Sequence, residues 1–421
     1  MTTPARRRLS PLMSILTIIL LSLFCMACSL SAILSVFPEA LIKRPYYRTR
    51  FQANQKMELV WRPSSGDVFA ALPGRVRPPT DDEPYAAFEL AWDADGFRVP
   101  AVEYENYPIA VFGDSFTEGF SVPFPYPDRL AELLGVGVRN YGYRAYGPDE
   151  ISSLWFNDFY EEAMANLSVT GSLSLDYKWV IWGFFSGNDL GDTMRPPLHN
   201  LSSPWGQWSA FLGQYAASAP TATPRLGEDG QPQYDFPVPV IIGGNYYELA
   251  FVPYYWYWQE APDEGFESSR NFEHVAQAVG TLTSYNEKVC NAFVFIPTKE
   301  QLYLPYVHPD VRQFLRAINQ RPQLGKSGQL VYVEAPVAEE DEAAFFESLY
   351  GQRDAMKRLI EDERAWRGEW VFIDLLPAFE EAVARGELLY YPYDTHWNQA
   401  GHDLAAQVIA DTIRATPGCD V

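Results

Sequence analysis

Pro108-Ile109-Ala110-Val111-Phe112-Gly113-Asp114-Ser115 is where the architecture can be read most directly. Four consecutive apolar residues between a proline and a Gly-Asp turn read as a short strand buried on both faces, the kind a parallel sheet needs. Working outward, similar runs recur at 136–140, 179–185, 293–296, 330–333 and 370–373. Helical patterns occupy 128–134, 149–165, 270–290, 310–319, 340–364 and 402–414. Strands alternating with helices predict an α/β fold with a mostly parallel sheet. In such sheets ligands gather beyond the carboxyl ends of the strands, which is where Gly113-Asp114-Ser115 is expected.

The chain has 421 residues, 47% of them hydrophobic and 15% aromatic, enough to bury a large core and to exclude global disorder. Its formal charge of −22 repels phosphate backbones, so nucleic acid is not an expected partner. Four cysteines, two of them (Cys25 and Cys28) in an apolar amino-terminal run, support neither a disulfide scaffold nor a Cys-rich zinc site. The five histidines include none in a cluster with metal-ligand spacing, so no metal or cofactor is expected.

Arg6-Arg7-Arg8 precede an uncharged run from Leu9 to Phe37. That run exceeds the roughly 20 residues a membrane-crossing helix requires and is long for a cleaved signal peptide. The expectation is a cytoplasmic tail (1–8) and a transmembrane signal anchor (9–37). Cleavage after Ala27, with Cys28 as a lipid-carrying first residue, is the alternative. Lys43, Arg44, Arg48 and Arg50 nearly balance the amino-terminal arginines, so orientation rests partly on short basic amino termini staying inside. Residues 38–107 read as a connector rich in Pro and charge, and 108–421 as the main domain. Within that domain, 195–269 is an insert dense in Pro, Gly and aromatics, with Tyr254-Tyr255-Trp256-Tyr257-Trp258 at its extreme. It is either a cap offering faces for sugar stacking or a packed aromatic mini-core.

Ser115 on a tight turn can attack an acyl carbon if a base removes its proton. Tyr393-Asp394-Thr395-His396-Trp397-Asn398 supplies that base. Residues two apart on an extended segment project to the same side, which lets Asp394 orient His396; the alternative is a capped turn with His396 packed on Trp397. Asn188 follows the strand at 179–185 and offers a neutral donor for an oxyanion. The loop Asn140-Tyr141-Gly142-Tyr143-Arg144-Ala145-Tyr146-Gly147 offers a backbone N–H. Lys299 follows the strand at 293–296; with Asp114 and Trp397 it is a candidate substrate contact.

These four segments resemble the signature blocks of the SGNH/GDSL esterase–lipase superfamily. The Asp-Thr-His-Trp block is similar to that of proteins of alginate and other polysaccharide O-acetylation. The resemblance runs from about Pro108 to the end and implies a three-layer, flavodoxin-like fold. It implies Ser115 as nucleophile, His396 as base, Asp394 as orienting carboxylate, and an oxyanion hole of Asn188 and the N–H groups of Ser115 and Ala145. The sequence departs from the family in three places. The acid stands two rather than three positions before His396, the −3 position being Tyr393. The second-block glycine falls on Ala145, with Gly142 or Gly147 as the other equivalents. Ser186 replaces a third-block glycine.

The implied function is a membrane-anchored serine esterase acting on ester-linked acyl groups, acetyl above all, of an extracytoplasmic glycan. The alternatives are an O-acyltransferase moving acetyl to cell-envelope polysaccharide and a catalytically silent glycan-binding scaffold. Implied partners are an acylated carbohydrate or other ester, the lipid bilayer, and an acyl-donor protein of unknown identity. Cys290 and Cys419 are candidates to pair in an oxidising compartment.

Overall fold

A computed structural model describes residues 54–71, 76, 79–144, 146–155, 177–189, 237–252, 270–283, 289–307, 320–324, 330–334, 349–362 and 370–421. The predicted anchor 9–37 and most of the aromatic insert lie outside these. Among the described residues no helix is long and apolar enough to cross a membrane.

In chain order the strands are β1 (Lys56–Trp61), β2 (Ala86–Ala91), β3 (Ile109–Gly113), β4 (Val138–Gly142), β5 (Trp179–Phe185), β6 (Val238–Ile242), β7 (Asn245–Leu249), β8 (Cys290–Ile296), β9 (Gln320–Leu324), β10 (Leu330–Glu334) and β11 (Trp370–Asp374). The helices are α1 (Val68–Ala71), α2 (Ser115–Glu118), α3 (Tyr126–Leu134), α4 (Pro148–Leu154), α5 (Arg270–Thr283), α6 (Lys299–Tyr303), α7 (Gly351–Glu361), α8 (Leu376–Ala384) and α9 (Gln399–Ala415).

The central sheet is parallel, in the order β11-β8-β5-β3-β4. Counted along the chain this is the doubly wound order 2-1-3-4-5, whose topological switch point lies beside the first strand, here β3. Ile109, Val111, Trp179, Ile181 and Trp182 are all fully buried, as strands covered on both faces require. Helices α3 and α9 pack on each other, as do α4 and α5. Right-handed crossovers put these two pairs on opposite faces of the sheet. Two anticipated elements differ. The run at 330–333 is a strand, but it pairs antiparallel with β9 in a separate two-stranded sheet. The helix anticipated over 270–290 gives way before Cys290, which opens strand β8.

The connector has structure of its own. β1 and β2 form an antiparallel pair, and Trp61 joins Val122 and Tyr391 in a small apolar cluster backed by Leu59 and Phe120. Cys290 and Cys419 are joined by a disulfide that fastens the carboxyl terminus to the start of β8. The tail is also held there by Trp179 Nε1, which donates to the Cys419 carbonyl at 2.8 Å.

Candidate active site

β3 and β4 end in register at glycines, Gly113 paired to Gly142, and on its other side Gly113 pairs with Gly183, two residues before the end of β5. A β-carbon on Gly113 would stand 2.0 Å from Thr117 Oγ1, and one on Gly142 2.3 Å from the Glu118 backbone nitrogen. The absence of side chains lets the short helix α2 settle onto the end of the sheet. Asp114 caps it by accepting from the Phe116 N–H at 2.9 Å, which puts Ser115 in the first turn. Gly119, at φ +64°, ends the helix in the left-handed conformation that favours glycine.

The loop after β4 is bolted to this helix. Asn140 Nδ2 donates to the Thr117 carbonyl at 2.8 Å. The buried Glu118 carboxylate receives the Arg144 N–H at 3.1 Å and its guanidinium at 3.0 and 3.1 Å. Burial pushes the Glu118 carboxyl upward against the pull of Arg144. Arg98 adds bonds to the Val122 and Pro123 carbonyls at 2.9 and 2.8 Å. The turn carrying Asn188 follows β5, the strand beside β3. Ser186, the departure from the family glycine, donates its hydroxyl to the Ile296 carbonyl at 2.9 Å and so ties this turn to β8.

His396 closes the arrangement. Its Nε2 lies 2.8 Å from Ser115 Oγ, and its Nδ1 lies 2.6 Å from Asp394 Oδ1. The segment is a tight loop rather than the anticipated extended one: Asp394 Oδ1 also accepts the His396 backbone N–H at 2.8 Å. Curling the chain around one carboxylate oxygen brings an acid two residues away onto the imidazole. Phe116 and Phe120 pack on the ring, with centroids at 5.0 and 4.9 Å.

The electrostatics follow from burial and charge. Burial alone would raise the Asp394 carboxyl, but the charge and hydrogen bonds of His396 and the Asp67 N–H hold it below its ordinary value. Burial pushes the imidazolium down; the Asp394 charge and hydrogen bond, helped by Asp67 and Asp114, outweigh it and hold His396 up at about 9.

Other anticipated residues fall differently. Lys299 does not face a substrate: it is 1% exposed, and its Nζ donates to the carbonyls of Tyr391, Pro392 and Asp394 at 2.8, 2.7 and 3.2 Å. It holds the histidine loop in shape. Trp397 is fully buried among Phe116, Phe379 and His402 and is core. Asp114 is likewise fully buried and serves as the cap of α2. Ala145 lies outside the described residues. His402 is structural, accepting the Tyr126 N–H on Nδ1 at 3.2 Å, and burial drives its pKa well below the ordinary histidine value.

Sequence reasoning missed Asp67, in the connector. Its N–H donates to Asp394 Oδ2 at 3.0 Å, and its carboxylate accepts from the Thr395 N–H at 2.9 Å and from the Thr395 hydroxyl. A Gly-Asp step in a Pro-rich stretch gives no signal of this.

Comparison with known proteins gives one match to a family model: residues 353–420 match the SGNH hydrolase-like domain of the acetyltransferase AlgX. The match contains Asp394, His396 and Trp397. No curated relative matches the sequence. Among solved structures, the chain is similar to a catalytic mutant of Axe2, an acetylxylan esterase from Geobacillus stearothermophilus, at 11% identity and TM-score 0.33, covering 74% of this chain and 94% of that one. LAE5, an alpha/beta hydrolase enzyme from the metagenome of Lake Arreo, gives 13% identity and TM-score 0.33, covering 74% and 95%. At such scores the overlays carry no weight; the family match and the geometry do. The resemblance to SGNH hydrolases, with a final block of the AlgX kind, is borne out by that match. The match does not reach Ser115; together with the Ser115–His396–Asp394 geometry it supports an activity of the acyl-ester hydrolase or acetyltransferase kind.

Proposed function

We propose that the chain is a membrane-anchored, extracytoplasmic SGNH enzyme that cleaves or transfers acetyl esters on a glycan. The observation that carries it is the continuous line from Ser115 Oγ through His396 to Asp394, with contacts of 2.8 and 2.6 Å. Ser115 attacks the ester carbon while His396 takes its proton. Asn188 and the N–H groups of Ser115 and Ala145 receive the developing oxyanion. The tetrahedral intermediate expels the sugar alkoxide, protonated by His396, and leaves an acetyl-serine. Water then releases acetate, or a second sugar hydroxyl accepts the acetyl group; either is deprotonated by the same histidine.

Three observations support the finer parts of this reading. The apolar run 9–37 is long enough to span a bilayer. The Cys290–Cys419 disulfide fits an oxidising compartment. Aromatic rings gather beside the histidine: Phe120 against the imidazole, and Tyr85, 38% exposed, 4.9 Å from Tyr391. Such faces suit sugar rings. The intact Ser, His and Asp speak against a silent glycan-binding scaffold.

The test is intact-mass analysis of the full chain after a fluorophosphonate ester, with Ser115→Ala and His396→Ala alongside. One adduct on wild type, none on Ser115→Ala and slow labelling of His396→Ala are expected. A folded wild type that takes no adduct would return the scaffold reading. An acetylated donor supplied with an acceptor oligosaccharide then separates transfer from hydrolysis by mass spectrometry.

A further inference from the structure

We propose that Asp67 is a second carboxylate of the active site, a positioning residue through which the connector locks the Asp394-Thr395-His396 loop and tunes the proton affinity of its histidine. The inference rests on the proposed role of His396 as base. Its ground is geometric. Asp394 and His396 are bonded to each other around a tight turn, so Thr395 between them faces the other way. There both its donors, the N–H and the hydroxyl, are taken by the Asp67 carboxylate. The Asp67 N–H returns a bond to Asp394 Oδ2 at 3.0 Å. Phe69, two residues on, stacks on Tyr393 with ring centroids 5.9 Å apart. The connector thus grips three consecutive residues, 393, 394 and 395, while Lys299 grips the same loop through its carbonyls.

The carboxylate is also electrostatically close, with Oδ2 3.8 Å from His396 Nδ1. The other ionisable groups facing this pair are Asp394 on the loop, Asp114 after β3, Lys299 and Glu300 on α6, and His402 on α9. Lys299 has its three donors on carbonyls and Glu300 accepts the Val252 N–H. Asp67 is therefore the nearest carboxylate to the imidazole after Asp394. Loss of water and the Asp394 charge push its own carboxyl up to about 6, so it is ionised over the range where a serine esterase works.

Two substitutions separate grip from charge. Asp67→Asn keeps a side chain that can still pair with Thr395 but removes the charge. The midpoint of the pH profile of kcat/KM is expected to fall by about one unit, since less negative charge leaves the imidazole easier to deprotonate. Asp67→Ala also removes the grip; kcat is expected to fall at least tenfold, with KM changed less than twofold because the bonds of Asp67 go to Asp394 and Thr395 of the histidine loop. Thr395→Val should lose activity non-additively with Asp67→Ala, the sign of a shared interaction. The ring resonances of His396, followed by NMR across pH in the full chain, read the same midpoint whether or not any ester turns over. A His396 midpoint that moves in a chain inert toward esters would retain the coupling and remove the esterase reading. An unmoved His396 midpoint in folded Asp67→Asn, together with an unmoved kcat in Asp67→Ala, would overturn the inference. Should the alanine protein fail to fold, the asparagine midpoint decides alone.

Discussion

Gly66 lies directly against the peptide of Tyr393: a β-carbon at 66 would stand 1.8 Å from the Tyr393 carbonyl oxygen and 2.5 Å from its carbon. Both neighbours are backbone and cannot swing aside. Gly66→Ala is therefore expected to displace the connector from the histidine loop. Overpacking of this kind costs about 1–3 kcal/mol, but the loss of kcat should exceed what a global fall in stability explains, because the displaced segment is the one holding Asp394. Thermal unfolding and kcat measured on the same preparation check this. Full activity in the alanine protein would mean that the contact is incidental.

The rate should depend on pH through His396. A general base must be neutral, and an imidazole held at about 9 is neutral in only about one molecule in a hundred at pH 7. The expected profile of kcat/KM therefore climbs about tenfold per pH unit through the neutral range and levels above about pH 9. The stability linkage runs the other way. A histidine whose pKa is raised on folding contributes stability below its unfolded value of 6.5, and that contribution disappears as pH rises through about 9. A profile flat from pH 6 to 9 would sink this account of the site.

Lys299 offers a contrast between two roles. An ammonium that is buried and bonded to three carbonyls is structural, and Lys299→Met would take the charged donor from all three, leaving the Tyr391 and Pro392 carbonyls only the Asp394 and Ala250 N–H groups. The expected cost is about 1–3 kcal/mol of stability, with lower kcat and unchanged KM. A substrate contact would behave in the opposite way, raising KM with stability intact.

These residues also mark what can be read from sequence. Ser115, His396 and Asp394 were legible because each belongs to a short motif with its own chemistry at a strand end, and the parallel sheet follows from runs such as 109–112 and 179–185. Asp67 was not legible: its bond to Asp394 spans 327 positions, and no local pattern encodes a contact so distant. Position told that Lys299 stands near the strand ends, yet the carbonyls that turn it inward come from a loop about ninety residues away. Trp397 beside a histidine invites a binding role that its neighbours, all core aromatics, remove. The run at 330–333 has the composition of a central strand, and composition does not distinguish a parallel partner from a hairpin one.

The disulfide gives the last expectation. Cys290 and Cys419 close a loop of sequence separation 129, and a cross-link over that length restricts the unfolded chain strongly. In practice such a bond contributes about 2–4 kcal/mol. Cys419→Ser should lower Tm by roughly 3–6 °C for a domain of this size. Trp179 Nε1 and Lys178 Nζ, which donate to the Cys419 and Asp420 carbonyls at 2.8 and 3.0 Å, would still hold the tail near β8. The loss should therefore appear in stability and not in kcat, since the tail touches none of Ser115, Asp394 or His396. Non-reduced peptide mapping of the native protein is the matching check. A linked 290–419 peptide fits passage through an oxidising compartment, whereas two alkylatable thiols would argue against export and against the bond together.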